Sequence, residues 1–331
     1  MGDRPDADML SARCRHWALP IKTMTQSPPN PKPAFDVAVI IVGVNAKRFV
    51  GECLDSLRAA AWHTYSHQVI YCDNGSTDGT LEIVASKYPE VKVIANGRNL
   101  GYCIAANIGA RAADARYYCF INDDTIVQGD AIGVLVEYMD QNPDVATTGS
   151  RLIFPNGVDQ WSGRKNPNIW SSIFSRRGRL SRLFPNLAIV RDYLCKEQMA
   201  KGEPYDVDWV SAAGHIVRPR HFWAVGGYAE DYYYWHEMVQ GHRFRAKGWR
   251  VVLHPRSVIV HYEGFGSGPR PFARQRFHII DFHRGAYRAW VEVHGQPWWS
   301  PTRWFTAVML TARASVLFVA AAFRSLLPAR S

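Results

Sequence analysis

Residues Val37-Ala38-Val39-Ile40-Ile41-Val42 form an unbroken apolar run, mostly β-branched, with no polar face. Such a strand needs cover on both sides, which is the environment of a parallel sheet between two helical layers. The chain then repeats the theme. Apolar residues at helical spacing (Phe49, Cys53, Leu54, Leu57) predict a helix over 49–61, followed by a strand over 68–72, a helix over 80–88 and a strand over 91–95. A helix over 104–113, a strand over 117–121, a helix over 129–141 and a strand over 146–149 continue the series. This alternation predicts an α/β fold with a mostly parallel central sheet flanked by helices.

Ligands of such sheets lie beyond the carboxyl ends of the strands, and the polar clusters fall there. Asp73 opens the stretch Asp73-Asn74-Gly75-Ser76-Thr77-Asp78-Gly79 after the second strand. A carboxylate at that point can accept hydrogen bonds from a base or ribose. The same stretch also suits a plain turn, with Ser76 or Asp78 capping the next helix. The glycines between Asn99 and Gly109 can admit phosphates close to the backbone, or pack a small-residue helix on the sheet. Asn122-Asp123-Asp124-Thr125 closes the fourth strand. Two adjacent carboxylates there are costly unless paired, used as a helix cap, or bound to a cation such as Mg²⁺ or Mn²⁺ shared with substrate phosphates. The six cysteines form no CxxC pair, which excludes zinc fingers and disulfide scaffolds and favours reduced, buried thiols.

Taken in order, Val37–Asn45, Val69–Thr80, Asn99–Gly109 and Phe120–Thr125 resemble the family 2 glycosyltransferases of the GT-A fold. The resemblance continues through Leu152–Gly157, Asp208–Gly214, Gly226-Gly227-Tyr228 and Trp235-His236-Glu237 to His261, covering about residues 36–290. It implies an inverting enzyme with a nucleotide-sugar donor and a divalent metal, Mn²⁺ or Mg²⁺. Asn45, Asp73, Asn99, Asn122 and Asp123 would border the donor, and Asp124 with His261 would hold the metal. Glu237 would be the base that deprotonates the acceptor hydroxyl, with His236 as the alternative base or its orienting partner. Asn122 at the first DXD position is the variant of rhamnosyltransferase-like members. That points to a dTDP- or UDP-deoxyhexose donor and to a glycan or polyprenyl-diphosphate-linked acceptor in cell-surface polysaccharide synthesis. Two departures stand out: Gly43-Val44 precedes Asn45, and Val239 replaces an acidic residue two positions after the base. Two rivals stay open: a non-catalytic glycan- or nucleotide-binding relative, on the grounds of Val239 and the His236-Glu237 pair, and a nucleotidyltransferase, which can share a similar sheet and metal carboxylates.

The net charge of +10 is unevenly spread: residues 1–150 carry 13 basic and 17 acidic residues, residues 151–331 carry 26 and 12. Between 164 and 191 Arg164, Lys165, Arg176, Arg177, Arg179, Arg182 and Arg191 alternate with large apolar residues. That pattern suits an anionic membrane surface, or a solvated loop over the acceptor side. No nucleic-acid module accompanies it, so a nucleic-acid partner is not expected. Trp304 to Phe323 holds one charge, Arg313, and such a helix is about 30 Å long. Trp298, Trp299 and Trp304 are of the type that settles at a lipid interface. A peripheral protein at the cytoplasmic membrane face is expected, with the helix lying in the interface in preference to crossing. The domains expected are a disordered leader over 1–34 without a secretory signal, a catalytic domain over 35–290 with its halves meeting at 150, and a helical membrane-associated tail over 291–331.

Overall fold

Strand β1 (Phe35–Gly43) lies inside a nine-stranded sheet, hydrogen-bonded in parallel to β2 (His67–Asp73) on one edge and to β4 (Ala115–Asn122) on the other. The computed structural model describes residues 32–168, 183–184, 186–263 and 272–326. The leader up to residue 31 and the basic residues Arg176, Arg177, Arg179 and Arg182 lie outside them. β3 (Lys92–Ala95) extends the parallel edge beyond β2, giving the order β3-β2-β1-β4. Beyond β4 the sheet becomes mixed. β10 (Gly214–Val217) runs antiparallel between β4 and β6 (Val145–Ile153). β11 (Arg250–His261) follows in parallel to β6, and β5 (Thr125–Val127) closes the path antiparallel to β11. β8 (Tyr205–Asp206) pairs with β11, while β7 (Gly163–Arg164) and β9 (Trp209–Val210) form a separate two-stranded ribbon.

The two faces of β1 feed two cores. Val37, Val39 and Ile41 pack with α1 (Val50–Ala59), α2 (Thr80–Lys87) and α4 (Ala131–Gln141). Ala38, Ile40 and Val42 pack with α3 (Tyr102–Arg111) and with Phe222 and Tyr228. Full burial of each aliphatic side chain contributes about 1.5–3 kcal/mol, so this strand anchors the molecule. A Cβ on Gly109 would come within 2.6 Å of Ile40 Cγ2 and 2.8 Å of Cys72 Sγ. That glycine serves close helix–sheet packing, not phosphate approach. Asn107 of α3 binds the backbone N–H and C=O of Tyr228 at 2.9 Å each, which fixes the Gly226-Gly227-Tyr228 turn.

The second half adds short helices α5 (Ala188–Tyr193), α6 (Lys196–Ala200) and α7 (Pro219–Ala224), then α8 (His236–Ala246). Two long helices follow, α9 (Phe272–Val293) and α10 (Pro301–Leu326). Apolar residues recur along 272–293 at helical spacing, and α9 packs on both the body of the fold and α10.

Candidate active site

The strand order turns at β1: its parallel neighbours β2 and β4 lie on opposite edges, so the carboxyl ends of β2, β1 and β4 stand side by side. That is where open α/β sheets bind ligands. The loops after β1 and β2 are laced together. Asn45, in the left-handed region at φ 54°, donates its N–H to Ser76 Oγ and accepts the Thr77 N–H at Oδ1, at 2.9 and 2.8 Å. Asp73 is buried at the β2 end, and its Oδ2 accepts the N–H groups of Gly75 and Ser76 at 2.9 Å each. Its Oδ1 accepts the Ser76 hydroxyl. Asp73 therefore fixes the loop at the β2 end from within. Asn99 is exposed and caps the entry to α3, its Oδ1 accepting the Gly101 N–H at 2.9 Å.

The β4 end is joined to the far edge of the sheet by β5, too short for the sequence pattern to reveal. Thr125 of β5 lies opposite His261 of β11, and Tyr262 N–H donates to Asp124 O at 2.9 Å. This pairing brings residues 139 positions apart together: Asn122 Nδ2 lies 3.4 Å from His261 Nε2, and Asp124 Oδ1 lies 3.3 Å from the same nitrogen. Asp123 points the other way, converging with the Tyr71 hydroxyl over Gly43. Burial, and then the neighbouring Asp124 charge, push Asp123 up to about 8.

Gln160, which the sequence pattern does not single out, holds His261 from behind. Its Nε2 donates to the His261 carbonyl at 2.7 Å, which leaves Oε1 facing His261 Nδ1 at 2.9 Å as acceptor. Nδ1 therefore donates to that oxygen, and Nε2 is left facing the Asn122 amide and Asp124 Oδ1, a buried oxygen without a hydrogen-bond partner. A histidine whose second nitrogen is held by an amide oxygen, beside an unpartnered carboxylate oxygen, is an arrangement that fits a metal site. The donor set fits Mn²⁺, which takes imidazole and carboxylate together. Among the described residues no group of three or more His, Cys, Asp or Glu could hold a metal. A cation here would thus complete its shell with substrate oxygens, as divalent ions on diphosphates do.

Beside this corner lies a cavity of about 190 Å³ lined in part by Gln160, His261, Trp209, Tyr234, Trp235 and Glu237. Glu237 stands in the first turn of α8, and its Oε1 is 3.5 Å from the Ala212 N–H. A Cβ on Gly241, one turn later, would strike the Asp208 carbonyl, so glycine lets α8 seat against the β9 segment. His236 is buried behind Glu237, stacked on Tyr102 at 5.2 Å, with Nε2 3.8 Å from Glu237 Oε2. Val239 is fully buried in a cluster with Trp209 and Ala289, where an unpaired carboxylate would be costly.

Residues 38–194 match the family model "Glycosyl transferase family 2". Across 311 residues, 90% of this chain and 92% of the other, the sequence is 26% identical to the N-acetylglucosaminyl-diphospho-decaprenol L-rhamnosyltransferase of Mycobacterium tuberculosis. Among solved structures, GalNAc-T7 with UDP, GalNAc and Mn²⁺ aligns with TM-score 0.56 at 17% identity over 78% of this chain, which spans half of that one. The mannosyltransferase PcManGT of Pyrobaculum calidifontis with GDP-Man and Mn²⁺ aligns with TM-score 0.54 at 16% identity, over 94% of this chain and 80% of its own. These two likenesses carry the GT-A-like fold. Residues 38–194 match the family 2 glycosyltransferases, and the chain is a glycosyltransferase that resembles an L-rhamnosyltransferase over nearly its whole length.

Proposed function

We propose that the chain is a metal-dependent, inverting transferase acting at the cytoplasmic membrane face in cell-surface polysaccharide synthesis. It would move a deoxyhexose such as rhamnose from a dTDP or UDP donor to a glycan or polyprenyl-diphosphate-linked acceptor. The observation that carries this reading is one cavity lined both by Glu237 and by His261, whose Nε2 meets Asp124. A carboxylate base and a cation corner thus open on the same space. The relative named above acts, by its name, on a decaprenol-diphosphate-linked amino sugar and matches this chain over nearly its whole length, which supports an acceptor of that class.

In this reading Asn45, Asp73, Asn99, Asn122 and Asp123 border the nucleotide and the sugar, and Asp124 and His261 hold Mn²⁺ or Mg²⁺. The bound ion would offset the negative charge that builds on the departing diphosphate. Glu237 takes the acceptor hydroxyl proton, a step of about 10²–10⁴-fold in rate. The freed oxygen pair forms the new bond to the anomeric carbon from the face opposite the leaving group. The old carbon–oxygen bond breaks, and the nucleoside diphosphate keeps its electrons. His236 orients Glu237 from behind.

The test is nucleoside diphosphate release from a panel of dTDP- and UDP-sugars, with Mn²⁺ or Mg²⁺ and a polyprenyl-diphosphate-linked amino sugar. Release with dTDP-rhamnose that disappears in Glu237→Gln, while donor binding by calorimetry persists, is the expected result. Equal release by Glu237→Gln overturns the base assignment, and no release with any donor overturns the reading.

A further inference from the structure

We propose that α9 and α10 form a hairpin whose outer face docks flat on an anionic bilayer, so that α10 is a ledge and not a membrane-crossing anchor. By length and composition alone Pro301–Phe323 is apolar enough to cross, and it is almost wholly unburied. Its contacts argue otherwise. Phe318 meets Phe272 with ring centroids 5.6 Å apart, Arg313 lies over the Phe282 ring at 5.7 Å, and Arg303 Nε donates to the Tyr287 hydroxyl at 2.9 Å. These three pairs run antiparallel from one end of the hairpin to the other. α10 is therefore laid along α9 for most of its length.

α9 cannot accompany it into hydrocarbon. It carries Arg276, Asp281, Arg284, Arg288 and Glu292, and it is fastened to the catalytic body. The Trp235 Nε1–H donates to the Phe282 carbonyl at 3.0 Å, the Tyr234 hydroxyl meets His278 Nδ1 at 2.8 Å, and Arg243 pairs with Glu292 at 2.8 Å. Crossing would strip α10 from its partner. Docking keeps the helix pair intact, with the exposed Arg313 still over the Phe282 ring at the edge of the apolar face. On the outside Phe305, Val308, Met309, Val316, Val319 and Phe323 are each at least half exposed. Trp298, Trp299 and Trp304, equally exposed, lie at one end, as interfacial aromatics do.

Charge selects the occupant. Residues 272–326 hold seven arginines and two acidic residues. Arg276 and Arg284 are exposed one helical turn either side of Ile280, itself 53% exposed. Apolar stripe and cationic flank together suit an interface rich in anionic headgroups. Phe282 also lines the catalytic cavity, so the ledge lies one helix away from it, about 8–10 Å. A lipid-borne diphosphate at headgroup depth would meet the cavity at that height. This last consequence rests on the proposed acceptor; the docking itself does not.

The test uses the full chain with Cys14→Ser and single nitroxide labels at Phe305→Cys, Ala312→Cys, Val316→Cys and Phe323→Cys. The remaining cysteines are buried. Labelled protein is added to vesicles of phosphatidylcholine with or without phosphatidylglycerol, and label depth is read by spin-relaxation accessibility. Flat docking predicts binding that requires phosphatidylglycerol and one shared shallow depth, about 5–10 Å into the headgroup boundary. It also predicts that Val308→Glu with Val316→Glu and Val319→Glu lowers partitioning at least about tenfold, with donor binding unchanged. Depth that increases by about 1.5 Å per residue from 305 to 323 overturns the proposal in favour of crossing. Binding indifferent to phosphatidylglycerol overturns the anionic preference. A soluble dimer with immobilised labels and no vesicle binding assigns the face to a second copy and overturns it as well. Transfer to a water-soluble acceptor without vesicles separates failure of docking from failure of the proposed activity.

Discussion

Gln160 shows how a single amide sets the chemistry of a residue far away in the chain. It is buried, gives one hydrogen to the His261 carbonyl and accepts the other contact from the ring, so the imidazole is held in place and in tautomer together. Gln160→Leu keeps the volume and removes both bonds. The expected outcome is a roughly 10–100-fold loss of Mn²⁺ affinity, read as free Mn²⁺ by electron paramagnetic resonance, without a matching fall in the urea midpoint. Gln160→Glu, which still offers an acceptor to Nδ1, should recover much of the affinity. Unchanged Mn²⁺ binding in the Leu variant would remove Gln160 from the site. A carboxylate pair after a buried strand is chemically conspicuous and made Asp124 visible, while His261 entered only through the family resemblance. Gln160 had no such signal: an isolated glutamine 101 positions before its partner looks like any loop amide, and only the pairing of β5 with β11 makes its neighbour a candidate ligand.

At the scale of elements, legibility followed length and periodicity. The runs behind β1, α1, β2 and α3 are long enough for the pattern to decide, and their observed bounds fall within two residues of the expected ones. β5 and β10, at three and four residues, owe their strand state to partners that no local pattern contains. The end of β1 offers a sharp test of local geometry. A Cβ on Gly43 would overlap the Tyr71 hydroxyl and Asp123 Oδ2 and sit 2.7 Å from Tyr71 Cζ. These are two different strand ends, so neither can move alone. Gly43→Ala should destabilise by about 1–3 kcal/mol, the usual cost of overpacking, and weaken nucleotide binding by displacing Asp123. Gly51 in α1 is the control, since its Cβ would meet only the Tyr88 hydroxyl at an ordinary 3.7 Å. Gly51→Ala should stabilise by about 0.5–1 kcal/mol. Urea midpoints check both, and equal effects of the two substitutions would remove the packing argument.

The whole molecule carries a pH dependence set by histidines that folding buries away from water. Burial, and then the nearby His236, hold His215 down to about 3. Its surroundings leave no room for a second ring proton. The Thr147 hydroxyl donates to the Ile216 carbonyl at 2.7 Å, so Thr147 Oγ1 accepts from His215 Nδ1 at 2.8 Å, and Nε2 is left to accept the Tyr228 hydroxyl at 2.6 Å. Protonating Nε2 would set two donors against each other inside the core. Burial likewise lowers His221 to about 4, aided by Arg220 and Arg218, and His254 to about 4, aided by Arg256. In the unfolded chain each takes up its proton near pH 6.5. Between there and about pH 4 the unfolded state binds more protons at these sites than the folded one, so the stability they contribute is complete above pH 7 and is lost as the pH falls. Each histidine contributes up to about 1.4 kcal/mol per pH unit, and all three act over the same interval. Asp123, held up to about 8, acts in the opposite sense and offsets about one of the three, so urea midpoints should still drop from about pH 6.5 towards pH 5, and more steeply in Asp123→Asn. His215→Asn should be less stable at pH 8, because Tyr228 loses a partner, yet show a shallower fall on acidification. A midpoint that stays level down to pH 5, or an unaltered slope in His215→Asn, would contradict the account.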